Sequence, residues 1–467
     1  MMNLPLQHDA KQLTDLLGKT SQLAGDYLRD IDQRPTSISP MPLLDLQLPE
    51  AGVGTGGAID LFNEQINPLL VASSGPRYFG FVTGGSTPAA IVGDWLTAAF
   101  DQNTQLVNGK GDASAAVERQ TIHMLLDLLQ LPDTFHGGFV TGATMSNFTS
   151  LAVARQWMGQ QYGKDVAREG VTFPIKVYAA VPHSSSIKAL AMLGIGSSQI
   201  SLVPTLPDRE AIDMDALEDM LASAPAEPFV LISSGGTVNT VDFDDLQTIA
   251  ALKQRFRFWW HLDAAFGAFA ACSPAHRHLL RGWELADSIT VDCHKWLNVP
   301  YDSAVYFTRK QHALLQTQTF QNANAPYLGD PMENFSYVNF GPENSRRFRA
   351  LPAWFTLTAY GKQGYREIIE RNIQLAGQLG NLLEESGHFQ LTAPVRLNVV
   401  CFTTKRIEDR SEKLQAILNR LHAEGKVFLT PTVYKGTPSL RAAFVNWRTT
   451  EADVRVTVDA LLRALNG

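Results

Sequence analysis

The chain has 467 residues, 45% hydrophobic and 18% charged, with a net charge of −7. This balance fits a globular protein able to bury a large core. It argues against a general nucleic-acid binder, which needs a basic surface. The three cysteines, Cys272, Cys293 and Cys401, are far apart and form no CxxC. They point to a reducing, cytoplasmic setting without a disulfide framework. The N-terminal stretch has no basic start followed by an apolar run, so no secretory signal is expected. No apolar run reaches the length of a membrane span, so no membrane partner is expected either.

Along the chain, residues 8–30 place Leu13, Leu16, Leu17, Leu23 and Leu28 at helical spacing among polar residues. A proline-rich connector follows, and then a glycine-rich turn, AGVGTGG, leading into a further helix. Residues 1–75 therefore read as a helical arm without a core of its own. Gly52, Gly54 and Gly57 match GxGxxG, but no strand precedes them and no acid follows at the spacing a dinucleotide site requires. A flexible turn accounts for them.

From about 136 to 310, short runs rich in Val, Ile and Phe alternate with helical segments. The runs are GGFVT, IKVYAAV, SQISLVP, FVLISS, FRFWWHLDA, DSITVD and SAVYFT. Strands buried on both faces look like this, and the alternation indicates βαβ units. The expected fold is α/β, with a mostly parallel seven-stranded sheet flanked by helices in a large domain over 76–340. Residues 311–340 read as a loop region. A long helix after 345 opens a smaller α+β domain over 341–467.

The strand ends carry the chemistry. In GGFVTGATMSN a small-residue strand runs into a helix near Thr144. The N–H groups of Ala143, Thr144 and Met145 would face an anion there, although by itself the stretch reads first as an ordinary capped helix start. Asp263, in WWHLDAAFG, follows an apolar strand, at a ligand position of parallel sheets or as an N-cap. Ala264 and Ala265 leave room for a flat ring. His183, in VPHSSSIKA, also follows a strand; a lone histidine is more often a capping or core residue than a catalyst. Thr237 follows a Gly-Gly turn and means nothing by itself. His276 and His278 lack ligand spacing, and no metal is expected. Lys295, in VDCHKWLNVP, follows another strand, and a buried lysine is costly unless paired or neutral.

Together, these strand ends offer a helix N-terminus for phosphate, a histidine, a threonine, an aspartate and a lysine. That set suits pyridoxal 5'-phosphate: the lysine forms a Schiff base, the aspartate keeps the pyridine nitrogen protonated, and the helix start holds the phosphate.

The motifs GATMSN, HSSSIKA, HLDAAFG and HKWLNVPYDSA, in this order, resemble those of group II pyridoxal-phosphate-dependent amino acid decarboxylases, of the aspartate aminotransferase fold type I. The segments RYFGFVTGGSTPAAIVGDW and RRFRALPAWFTLTAYGKQGYREII extend the resemblance over most of the chain. It implies decarboxylation of an L-amino acid to its amine and carbon dioxide. Lys295 would hold the cofactor, Asp263 the pyridine nitrogen, and His183 and Ala265 the two ring faces. Thr237 would lie near the ring oxygen or Asp263, and Ala143, Thr144 and His294 would contact the phosphate. Met145 stands where relatives often have serine, leaving only its N–H. Asp292 stands where many relatives have asparagine near the phosphate, and an acid there would repel a dianion unless hydrogen-bonded or turned away.

NANAPYLG resembles the family's mobile catalytic loop, and Tyr327 would protonate Cα; a tyrosine that packs the loop down is the alternative. A homodimer with swapped arms is implied. Phe81 and Thr83 lie near the entrance. Asn103 and Gln105 resemble the polar pocket of glutamate-type relatives, which leans away from an aromatic substrate. Arg448 is open to two readings, a partner for a distal carboxylate or an exposed side chain. Transamination or carbon–carbon cleavage on the same cofactor, and a non-catalytic homologue, remain as alternatives.

Overall fold

The computed structural model describes residues 4–40, 47–105, 113–224, 226–321, 330–406 and 408–466. Seven strands form one sheet: β1 (Phe135–Val140), β2 (Val177–Ala179), β3 (Ile200–Leu202), β4 (Phe229–Ser234), β5 (Phe258–Asp263), β6 (Ser288–Val291) and β7 (Ala304–Arg309). Their order is β1-β7-β6-β5-β4-β2-β3. β7 runs antiparallel to both of its neighbours, and every other pairing is parallel. The sheet is thus mixed but mostly parallel.

The central strands explain themselves chemically. β4 reads FVLISS and β5 reads FWWHLD, each buried until its last residue. Helices cover both faces, so the apolar side chains of successive residues all find a core. The indole N–H groups of Trp259 and Trp260 are satisfied by Ser288 Oγ at 3.0 Å and Ser233 Oγ at 2.7 Å. The serines therefore let two buried tryptophans keep their large apolar area without an orphaned donor.

Register then aligns the functional ends. Ser234 pairs with Asp263, and Asp263 with Thr290, so β4, β5 and β6 finish on one row. The helix Ala143–Gln161 begins beyond β1 and packs against β5, β6 and β7.

A second sheet comprises β8 (Phe389–Leu391), β9 (Val399–Thr404), β10 (Thr430–Tyr434) and β11 (Thr437–Ala443), in the antiparallel order β10-β11-β9-β8. The helix Ala350–Glu385 serves both cores. Ala353, Leu357 and Ile369 pack with the large sheet, and Leu375, Leu379 and Leu383 with the small one. Helical geometry breaks at Gly361, between Leu357 and Ile369, and its φ of 56° suits glycine.

The N-terminal arm contains Leu4–Lys11, Leu13–Arg29 and Gly54–Leu61. Gly54 and Gly57, of the GxGxxG match, lie in the last of these helices. Among the described residues no helix is long and apolar enough to cross a membrane, and no group of three His, Cys, Asp or Glu side chains is placed to hold a metal.

Candidate active site

A cavity of ≈ 370 Å³ opens at the carboxyl ends of β4 and β5. His183, Thr237, Asp263, Ala265 and Lys295 all line it. Residues spread over more than 110 positions of chain are brought together because parallel strands end at the same level.

Asp263 is held by a polar network rather than by solvent. Its Oδ2 accepts from Asn147 Nδ2 at 3.0 Å and from Ser186 Oγ at 3.4 Å, and its Oδ1 from the Ala265 N–H at 3.2 Å. Asn147 is itself fixed: its Oδ1 accepts from Thr290 Oγ1 at 2.6 Å and lies 2.9 Å from His261 Nε2. His261 Nδ1 meets Ser288 Oγ at 2.8 Å. Burial pushes His261 down to about 4, so its ring is neutral near pH 7. With Asn147 Oδ1 as acceptor, Nε2 carries the hydrogen and Nδ1 accepts from Ser288. The whole row behind Asp263 is thereby oriented.

His183 is the N-cap of the helix Ser184–Met192, and its Nδ1 accepts from the Ser185 N–H at 3.2 Å. Capping and lining the cavity are compatible, because capping uses one ring edge and leaves the face free. Burial lowers the imidazole below its ordinary value, with Asp263 opposing that shift. A neutral, fixed ring is suited to stacking.

Lys295 sits on a short helical turn, Cys293–Trp296, directly after β6. Its Nζ lies 3.3 Å from Asp292 Oδ2, and His294 Nε2 lies 3.1 Å from Asp292 Oδ1. Burial by itself would raise the Asp292 carboxyl; Lys295 and His294 outweigh it and hold the group below its usual range. The acid is therefore turned onto two basic partners. Gly84 crosses the lysine backbone so closely that a Cβ there would lie 1.5 Å from the Lys295 carbonyl oxygen. Beside it, Phe81 and Val82 adopt φ of 54° and 58°, sparsely populated for such side chains. Thr83 Oγ1 is 3.3 Å from Tyr301 OH, and Tyr301 packs 4.1 Å from the His294 ring.

Three residues expected at the phosphate or ring also hold other bonds. The Met145 N–H donates to the Gly142 carbonyl at 2.9 Å, and its side chain packs with Val140, Ala304 and Tyr306. Both His294 ring nitrogens are engaged, Nε2 by Asp292 and Nδ1 by the Ser303 N–H at 3.4 Å. The Thr237 hydroxyl donates to Glu210 Oε2 at 2.5 Å while the residue lines the cavity. Ala143 and Thr144 keep their first-turn N–H groups, which no described residue accepts. Tyr327 lies outside the described residues.

Sequence reading missed Asn147, Glu210 and Arg441. Glu210 collects Thr237, Asn239 and Thr240 as donors within 3.2 Å. Arg441, on β11, reaches the cavity; its Nη1 donates to the Val238 carbonyl at 3.1 Å, and its buried Nε has no partner among the described residues. Arg448 instead lines a separate cavity, with its guanidinium 4.6 Å over Trp447. Asn103 Oδ1 accepts from the Arg346 N–H and Gln105 Nε2 donates to the Asn344 carbonyl, and neither residue lines this cavity.

A lysine, a carboxylate held by donors, an alanine and a histidine with a free ring face line one cavity, and the helix that supplies Asn147 to that carboxylate starts with free N–H groups; this set fits pyridoxal phosphate. The fold and this donor set define a fold type I enzyme. The pyridoxal-dependent decarboxylase conserved domain matches residues 39–405, and the chain belongs to that family. It is a pyridoxal-phosphate-dependent amino acid decarboxylase, a carboxy-lyase. It is 29% identical to an aromatic-L-amino-acid decarboxylase of Bacillus atrophaeus, over 97% of this chain and 95% of that one. It is 27% identical to tyrosine decarboxylase 2 of Narcissus pseudonarcissus, over 93% and 90%. The crystal structure of Oryza sativa TDC with PLP and tryptamine is similar at a TM-score of 0.88 and 25% identity, covering 98% of each chain. Mouse CSAD, at 22% identity and the same TM-score of 0.88, shares the fold over 98% of this chain and 99% of its own.

Proposed function

We propose that the substrate is an aromatic L-amino acid and that Lys295, Asp263, His183 and Ala265 form the cofactor site. The observation that carries the site is their convergence on one cavity of ≈ 370 Å³. The substrate class rests on the relatives' aromatic amino acids and on the commitment of Asn103 and Gln105 to backbone groups.

Bound pyridoxal phosphate supplies an electron-accepting ring conjugated to the substrate nitrogen. Lys295 Nζ is the nucleophile that holds it. Asp263 keeps a proton on the ring nitrogen, and Asn147 and Ser186 keep Asp263 an acceptor aimed at it. The N–H groups of Ala143 and Thr144 hold the phosphate at the positive end of a 19-residue helix. His183 and Ala265 confine the ring between them. Arg441 offers its unpartnered Nε to a carboxylate of the incoming substrate. Such fixed groups orient the Cα–carboxylate bond, and that orientation selects decarboxylation over other outcomes. Tyr327 or His183 returns a proton to Cα.

A homodimer completes the reading. Leu13 and Leu17 on the arm are 56% and 59% exposed, as are Val92 (52%) and Trp95 (44%) on the helix Pro88–Phe100. These surfaces suit a swapped arm. Three free, buried cysteines suit a reducing cytoplasm.

The test is to supply the loaded enzyme with tyrosine, tryptophan, phenylalanine, glutamate, cysteine sulfinate and 2,4-diaminobutyrate, recording carbon dioxide and amine together. Matched release from the aromatic acids, lost in Lys295→Ala, is expected. Release from an acidic or diamino substrate alone would replace the aromatic assignment.

A further inference from the structure

We propose that Asp292 is the counter-ion of the Lys295 nitrogen, keeping Nζ protonated both as the free ammonium and after its condensation with the cofactor aldehyde. The inference rests on Lys295 being the attachment point. It starts from a residue that departs from its ordinary local duty. Asp292 occupies the N-cap position of Cys293–Trp296, where an aspartate would normally accept from the helix's own N–H groups, yet it makes no such bond. Its two oxygens face Lys295 and His294 instead, at 3.3 and 3.1 Å.

The carboxylate cannot swing away easily. Its own N–H donates to the Ala265 carbonyl at 2.8 Å, and its side chain is only 3% exposed. The lysine is equally confined, at 14% exposure with Gly84 pressed on its backbone. Among the described residues, Asp292 is the one carboxylate within 4.0 Å of Nζ.

The other groups around the pair leave that charge in place. Asp263 faces it from β5, His183 from the head of its helix, Arg441 and Glu210 across the cavity, Tyr301 from the following turn, and Cys293 from behind. His183 is held neutral by burial, and burial likewise raises the Tyr301 and Cys293 groups, keeping them protonated. Asp263 is occupied by Asn147, Ser186 and Ala265. His294 accepts the Ser303 N–H at its Nδ1 and faces Asp292 Oδ1 with its Nε2 at 3.1 Å.

The chemistry balances without another reactant. Of the three protons on the ammonium, two leave with the aldehyde oxygen as water and one stays on nitrogen with the positive charge. A buried opposite charge at this distance favours keeping that last proton.

The test is a spectrophotometric pH titration of enzyme loaded with pyridoxal phosphate, which separates the protonated from the deprotonated Schiff base by colour. In Asp292→Asn the midpoint should fall by about 1–3 pH units. An unmoved midpoint overturns the inference while leaving Lys295 as the attachment point. If the wild type shows no Schiff-base band, both readings fall together. If Asp292→Asn does not load, cofactor-free protein decides: acetylation of Lys295, followed by mass spectrometry at neutral pH, should be faster than wild type by roughly tenfold per unit of lowered pKa. Equal acetylation overturns the inference.

Discussion

The carboxyl ends of β4–β6 and the N-terminal arm use their residues in opposite ways. At the strand ends, polar groups are buried and bonded: Asn147, His261, Thr290 and Ser288 are each 0% exposed and form one chain of hydrogen bonds behind Asp263. On the arm, apolar groups are exposed: of the helix Leu13–Arg29 only Leu16 is buried. A buried polar network is stable only if it is complete, so its geometry is specified within the chain. An exposed apolar stripe is specified only by what will cover it. The first region can act as a preorganised site; the second leaves apolar area for another surface to cover.

Four changes would sharpen or break this contrast. The largest effect belongs to Arg346→Met. Arg346 Nη2 is 2.6 Å from Glu118 Oε1, both buried, and Glu118 also accepts the Phe139 N–H of β1. Removing one partner strands a buried charge, and the denaturant midpoint should report a loss of about 3–5 kcal/mol. Next, Asp263→Asn removes a charge that no neighbour replaces; kcat should fall by about 10²–10³-fold with the fold retained, as seen by circular dichroism. Loss of folding instead would make Asp263 a structural residue.

Third comes pH. His261 is pushed down to about 4 from 6.5, so the unfolded chain takes up a proton that the folded one refuses. Stability should fall as pH drops through that window, by about 3 kcal/mol from this group. His261→Gln should show a shallower decline in urea melts from pH 7 to 4; parallel curves would contradict the assignment. The smallest effect on the subunit is expected for Leu13→Lys with Leu17→Lys, within about 0.5 kcal/mol per site. If the proposed arm swap holds, sedimentation should show a dimer for the wild type and monomers for this variant.

How much of this was legible beforehand follows the same contrast. All seven large-sheet strands were readable because each is a short apolar run between helices, and Asp263, His183 and Lys295 because each terminates such a run or follows it. Asn147 stands in the GATMSN motif, and its signal was the polar cluster Ser146, Asn147, Thr149 and Ser150 on a helix that buries all four. Arg441 had a signal too, a lone charge in the apolar strand SLRAAFV. Glu210 had none, since its partners Thr237, Asn239 and Thr240 come from a loop far along the chain. The commitments of Met145, His294 and Thr237 were equally hidden. Each depends on which hydrogen-bond acceptor the fold brings within 3.5 Å.

The most direct test of the central claim is to locate the cofactor bond. The loaded enzyme would be reduced with borohydride, digested, and its peptides read by mass spectrometry. The account predicts a single pyridoxyl adduct on Lys295. An adduct on another lysine, or none, would contradict it.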